Sequence, residues 1–150
     1  MAGIRGKNTQ PEMLIRRGLH MTGFRYRLHD KRLPGKPDLV FPKYRAVIFV
    51  HGCFWHGHDC HLFKWPTTRP EFWRKKIERN RDVDATALAA LTHAGWRYCI
   101  VWECGIKGRM RLPIGNVIKS IVKWLSSRRK HLVLRGANVV DGSSRLDRRK

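Results

Sequence analysis

Acidic residues are scarce in this sequence: its 150 residues include 11 Asp and Glu against 32 Lys and Arg, a formal net charge of +21. A domain this basic repels itself and is tolerated mainly when a polyanion neutralises it. The basic residues are spread along the chain rather than gathered on one amphipathic helix, which disfavours binding to a membrane surface. We therefore expect a nucleic-acid partner.

Long apolar runs and internal repeats are also missing. No stretch is long or apolar enough to cross a membrane, and the N-terminus has no apolar run typical of a signal peptide. Hydrophobic residues nevertheless make up 42% of the chain, enough for one core of its own. These features predict a single-domain cytoplasmic protein.

Cysteine occurs at four positions, and structural disulfides are rare in a reducing cytoplasm. Two cysteines and two histidines fall within the eight positions 53–60 (CFWHGHDC), and zinc prefers thiolate and imidazole ligands. Cys104, just after a predicted strand, can supply a fourth ligand, whereas Cys99 lies mid-strand and is expected in the core. The residues alone leave open whether His56 or His58 binds the metal.

The periodicity of apolar residues predicts an α/β sandwich with a mixed central sheet. Thr9 is a predicted helix N-cap with Glu12 in a capping box. The predicted helices cover 9–21, 70–95 and 116–127, and the predicted strands cover 24–28, 39–41, 46–50 and 96–102. A basic tail is expected from 128 to 150.

Asp38 precedes one predicted strand, and Val50 and His51 end the next. A carboxylate on a strand can hold magnesium, and the main-chain carbonyl of Val50 can add a second ligand. His51 and the remaining histidine of the 53–60 loop can act as general acid or base, because imidazole titrates near neutrality. The alternatives are a turn aspartate at Asp38, a polar strand end at His51 and a purely structural capping box at Glu12.

Three motifs resemble the very-short-patch repair (Vsr-type) endonucleases: PGKPD at 34–38, VIFVHGCFWHGHDC at 47–60 and WEC at 102–104. The resemblance implies a restriction-endonuclease-like fold related to the PD-(D/E)XK nucleases, with a three-layer core in residues 1–127. It also implies nicking of DNA 5′ of the thymine in T:G mismatches, which arise when 5-methylcytosine deaminates.

The resemblance further implies a role for each candidate catalytic residue. Asp38 and the Val50 carbonyl would bind magnesium, although some family members have threonine at the position of Val50. His56 would be the general base, with Glu12 oriented towards it and His51 in support.

The same resemblance implies a structural zinc clip and a wedge that enters the DNA. The zinc ligands would be Cys53, His58, Cys60 and Cys104. The intercalating side chains would be Phe54, Trp55 and Trp73.

The implied partners are double-stranded DNA with a T:G mismatch and, functionally, a cytosine-5 methyltransferase and mismatch-repair factors. We expect a monomer associated with the nucleoid. Two other interpretations stay open: a nuclease of the same fold with another DNA target, and a zinc-stabilised DNA-binding module without catalysis, in which Asp38 would be dispensable.

Overall fold

The computed structural model of this chain describes residues 9–137. In this range the chain forms α1 (Gln10–Met21), β1 (Arg27–Leu28), β2 (Leu39–Phe41), β3 (Ala46–His51), α2 (Pro70–His93), β4 (Arg97–Trp102), α3 (Ile114–Leu125) and β5 (His131–Leu134). None of these helices combines the length and the apolar character needed to span a membrane.

The five strands form one sheet in the order β1-β2-β3-β4-β5. β1, β2 and β3 pair antiparallel, whereas β3, β4 and β5 run parallel to one another. The predicted α/β class with a mixed central sheet is therefore confirmed.

Helices pack on both faces of the sheet through apolar side chains, which gives a three-layer structure. On one face Ile48 and Val101 pack with Ile15 of α1 and Trp124 of α3. On the other face a second group, including Phe49 and Ile100, packs against α2 at residue 91. Residues of β2 and β3 are buried almost without interruption, as expected for central strands covered by helices on both sides.

Helix α1 begins where the capping pattern predicts. The Thr9 hydroxyl accepts a hydrogen bond from the Glu12 N–H at 3.3 Å, which satisfies a backbone donor of the first turn. The strand predicted at 24–28 is shorter than expected, because only Arg27 and Leu28 pair with β2. The rings of Phe24 and Tyr26 pack on Phe41 at the edge of the core.

The expectation of a tail from residue 128 needs correction, because β5 pairs in parallel with β4 and completes the sheet. Leu132 is 9% exposed and belongs to the core, while its neighbour Val133 is 52% exposed. The apolar signal of this short edge strand is hidden by the basic residues on either side of it. The boundary predicted at 127 thus falls inside the folded region, and positions 138–150 lie outside the described residues.

Candidate active site and metal centre

The start of β2 and the end of β3 are neighbours because the two strands run antiparallel. A cleft of about 500 Å3 opens at this point. Its lining includes Asp38, Val50, His51, Phe54, Trp55, His56 and Asp84. The structure therefore brings together residues that the sequence predicts for magnesium binding, proton transfer and intercalation.

Asp38 is a buried carboxylate, 7% exposed, beside the last residues of β3. Its Oδ2 accepts a hydrogen bond from the Val50 N–H at 2.7 Å. Burial, and to a lesser degree the nearby charge of Glu12, raises the pKa of Asp38 to about 7. A carboxylate that has lost its water in this way gains strongly from a bound cation.

Glu12, which the resemblance orients towards His56, lies beside Asp38. Its carboxylate is buried, and Oε2 is 2.7 Å from Nε2 of His29. Ligand atoms of Glu12, His29 and Asp38 all lie within 4.8 Å of one another. His29 was not among the expected site residues. Its backbone is left-handed (φ 49°), and its backbone N–H donates to the main-chain carbonyl of Asp38.

His56 is held by Asp84, a residue of α2 that was not expected at the site. Nδ1 of His56 forms a short hydrogen bond with the Asp84 carboxylate. This contact fixes the ring orientation and favours a proton on Nδ1, which leaves Nε2 as the basic nitrogen. Asp84 occurs in the highly charged segment 74–84 of α2, a composition typical of a solvent-exposed helix, and its contact with His56 depends on how α2 packs against the loop.

The imidazole rings of His51 and His56 stack on each other. The two rings stack with centroids 3.9 Å apart and planes 10° apart. Burial, with a smaller effect of His56, lowers the pKa of His51 to about 3, so it is neutral at pH 7. Within residues 9–137, its buried Nδ1 has no hydrogen-bond partner.

The four expected zinc ligands form one cluster, with ligand atoms within 4.8 Å of one another. Nδ1 of His58 is 3.5 Å from Sγ of Cys53 and 3.6 Å from Sγ of Cys104. Tetrahedral zinc, with bonds of about 2.3 Å to sulfur and 2.0–2.1 Å to nitrogen, places these atoms roughly 3.6 Å apart. The donor set and its spacing therefore fit zinc, and Cys99 lies apart in the core.

Backbone groups support the sulfur atoms of this cluster. The Cys104 N–H donates to Sγ of Cys53, and the Gly136 N–H donates to Sγ of Cys104, each at 3.3 Å. The Cys53 thiol, together with His58 and this Gly136 N–H, lowers the pKa of Cys104 to about 4. Such donors stabilise thiolates, the form that binds a metal.

The three expected intercalating residues form one aromatic cluster at the mouth of the cleft. The ring centroids of Phe54 and Trp55 are 5.1 Å apart, and Trp73 of α2 lies 5.3 Å from Phe54 and 5.7 Å from Trp55. Asn80 donates to the Trp55 carbonyl at 2.8 Å and ties the loop to α2. This cluster, hereafter the wedge, is thus held next to His56.

The chain resembles known nucleases over most of its length. The family model described as DNA mismatch endonuclease Vsr matches residues 1–62. The Type II nicking enzyme V.XorIIP of Xanthomonas oryzae pv. oryzae is 48% identical over 120 residues, which cover 79% of this chain and 88% of the relative. The DNA mismatch endonuclease Vsr of Escherichia coli (strain K12) is 42% identical over 125 residues, which cover 83% and 80% of the two chains. With these motifs, this site and these relatives, the chain belongs to the Vsr family of DNA endonucleases.

Proposed function

We propose that this protein is a magnesium-dependent endonuclease that nicks duplex DNA 5′ of the thymine in a T:G mismatch. The observation that carries the proposal is one cleft in which Asp38, the His56–Asp84 pair and the wedge lie side by side. The relatives support it, because one is named a mismatch endonuclease and another a nicking enzyme. The three-layer core with a mixed sheet also fits the restriction-endonuclease-like fold related to PD-(D/E)XK nucleases.

Magnesium would be held by the Asp38 carboxylate and the main-chain carbonyl of Val50. The N–H and C=O of one strand residue point to the same side, and the Val50 N–H already points to Asp38. A carbonyl ligand is independent of the side chain, so valine serves as well as threonine here. When bound, the ion stabilises the charge that develops on the phosphate and on the leaving oxygen.

His56 would act as the general base on the attacking water. Its Nε2 is the nitrogen left free by Asp84, whose carboxylate also stabilises the imidazolium that forms after proton transfer. Neutral His51 stacks on His56 and keeps its ring in place. Glu12 and His29 bring further polar atoms to the side of Asp38 that faces α1.

Zinc would be structural, bound by Cys53, His58, Cys60 and Cys104. Four protein ligands close the coordination shell and leave no position for a substrate. Since Cys53 and Cys60 delimit the loop that carries the wedge residues 54 and 55 together with His56, the ion would hold that loop rigid. Zinc would therefore affect nicking through the position of the loop.

The wedge would recognise the mismatch by entering the base stack beside it. Apolar side chains unstack a mispaired step at lower cost than a paired one, so the wedge favours mismatched DNA. The net charge of +21 supplies affinity for phosphates without regard to sequence. A monomer suffices for this reaction, and the origin of T:G mismatches links it functionally to a cytosine-5 methyltransferase and to mismatch repair.

The test compares nicking of two duplexes that differ in a single pair, T:G or T:A, with and without magnesium. We expect magnesium-dependent nicking of the T:G duplex at least tenfold faster than that of the matched one. Trp55→Ala and Trp73→Ala should remove most of this preference, whereas Met21→Ala, at a position 85% exposed at the end of α1, should keep it.

Two results would contradict the proposal. Equal nicking of both duplexes by the wild-type protein would favour a nuclease of the same fold with another target. Binding without nicking, unaffected by Asp38→Ala, would favour a DNA-binding module.

A further inference from the structure

Trp65 is a large aromatic residue outside the wedge that remains substantially exposed, at 42% of its surface. The guanidinium of Arg74, in the first turns of α2, lies 5.0 Å from the centre of its ring. Within residues 9–137, Arg74 forms no ion pair with a carboxylate. An exposed indole and a charged guanidinium thus form one surface unit, hereafter the Trp65–Arg74 pair.

An unbroken row of rings connects this pair to the wedge. Trp65 contacts Phe63 with centroids 4.9 Å apart, and Phe63 contacts Phe54 of the wedge at 5.9 Å. Two such steps place Trp65 within roughly three base pairs of Phe54 along a duplex, given a rise of about 3.4 Å per pair. Trp65 is therefore near enough to the wedge to contact DNA that the wedge engages.

The chemistry of the pair matches the backbone of a duplex. A guanidinium stacked on an aromatic ring keeps its N–H donors at its edges, where they can bind phosphate oxygens. The exposed indole surface is apolar and fits the deoxyribose rings between successive phosphates. The flanking exposed residues of α2, Lys75 and Lys76, add positive charge to the same helix.

We propose that the Trp65–Arg74 pair is a second DNA-binding subsite, which grips one strand of the duplex a few base pairs from the mismatch. Trp65 packs on the sugars and Arg74 binds a phosphate. The subsite contributes affinity for the flanking duplex, whereas the wedge contributes the preference for the mismatch. This inference rests on the proposed function, since it uses the position of DNA at the wedge.

The first test measures the dissociation constants of Trp65→Ala and Arg74→Ala for T:G and matched duplexes at one salt concentration. We expect each variant to bind both duplexes about tenfold more weakly, with an unchanged preference for the mismatch. Trp65→Phe should stay within threefold of the wild type. The matched control is Arg45→Ala: Arg45 lies 4.5 Å from the Trp96 ring, just before β3, and should change affinity less than twofold.

The second test uses two shortened duplexes. Each keeps only two base pairs on one side of the mismatch and a long duplex on the other side. On the side that reaches the subsite, trimming should weaken the wild-type protein about tenfold and Trp65→Ala hardly at all. The inference would be overturned if Trp65→Ala and Arg74→Ala bound long duplexes as tightly as the wild type. It would also be overturned if trimming either side weakened binding by the wild type and by Trp65→Ala to the same degree.

These outcomes can be told apart from a failure of the proposed function. If the wild-type protein shows no preference for the mismatch, the proposed function fails. A tenfold loss for Trp65→Ala on matched DNA would then still support the subsite. If the preference is present and Trp65→Ala binds normally, the subsite alone is wrong.

Discussion

The carboxylate of Asp84 on α2 binds Nδ1 of His56, a residue 28 positions earlier in the chain. A loop histidine thereby obtains its orientation from a helix that packs on the sheet face carrying Phe49 of β3. Because the hydrogen bond uses Nδ1, the nitrogen that can take a proton from water is Nε2. The orientation of the His56 ring therefore depends on the packing of α2.

Asp84→Asn should reduce the single-turnover nicking rate about a hundredfold, since the amide neither fixes the tautomer nor stabilises the imidazolium. DNA affinity and zinc content should not change. The control is Asp82→Asn, an exposed carboxylate on the same helix, which should nick at the wild-type rate. An Asp84→Asn protein with the wild-type rate would exclude this role.

The raised pKa of Asp38 predicts how the stability of the protein changes with pH. Its folded pKa of about 7 lies above the ordinary 3.8, so the folded protein holds the proton that the unfolded chain has released. Without added magnesium, the free energy of unfolding should therefore fall as the pH rises from about 4 to above 7. Asp38→Asn should remove this contribution and melt several degrees higher at pH 8.

Magnesium adds a second readout to the same melting experiment. At pH 8 it should raise the melting temperature of the wild-type protein, because the cation offsets the buried charge. It should leave Asp38→Asn unchanged. Equal responses of the two proteins to magnesium would place the ion elsewhere.

The zinc content of alanine variants should distinguish the roles of His56 and His58. His58→Ala, Cys53→Ala, Cys60→Ala and Cys104→Ala should each lose zinc and stability, because a structural site contributes directly to folding. His56→Ala and Cys99→Ala should retain one zinc per chain, and His56→Ala should no longer nick. Elemental analysis of the purified proteins decides this, and a zinc-free His56→Ala would show that the two histidines have exchanged roles.

Strand β5 should contribute measurably to stability. Leu132→Ala should lower the free energy of unfolding by about 2–4 kcal/mol, because it leaves a cavity in the core. Val133→Ala, at the exposed neighbouring position, should cost well under half as much. Urea unfolding measures both, and equal values would contradict the burial of Leu132 against β4.

The helices and central strands were predictable because apolar residues with clear periodicity form their buried faces. Strand β5 was not, since its short apolar run lies among basic residues and gains its stability from pairing with β4. The cysteine–histidine cluster was predictable because Cys53, two histidines and Cys60 lie within eight positions and Cys104 follows a strand. The choice of His58 over His56 came only from the resemblance to the Vsr-type endonucleases. The roles of Asp84 and His29 depend on contacts between distant segments, and a polar residue in a charged segment looks the same whether it faces solvent or a site.

The position of Glu12 illustrates the same limit within one element. The capping pattern correctly predicts the start of α1, because the Thr9 hydroxyl binds the Glu12 N–H. A capping box also directs the Glu12 carboxylate towards the Thr9 N–H, whereas Oε2 of Glu12 lies 2.7 Å from Nε2 of His29. The observed direction of the carboxylate follows from the approach of His29 across the sheet edge.

The geometry of the cysteine–histidine cluster depends on the register between strands β3 and β4. Strands β3 and β4 pair with His51 opposite Trp102, so Cys53 and Cys104 each follow two residues after the last pair. Both strands are apolar on their two faces, and such strands discriminate weakly against pairing that is shifted by one residue. A shift would move Cys104 by roughly 3.3 Å, about the whole spacing between neighbouring ligand atoms. A zinc ion bound by both sulfur atoms would thus favour the native alignment over the shifted ones.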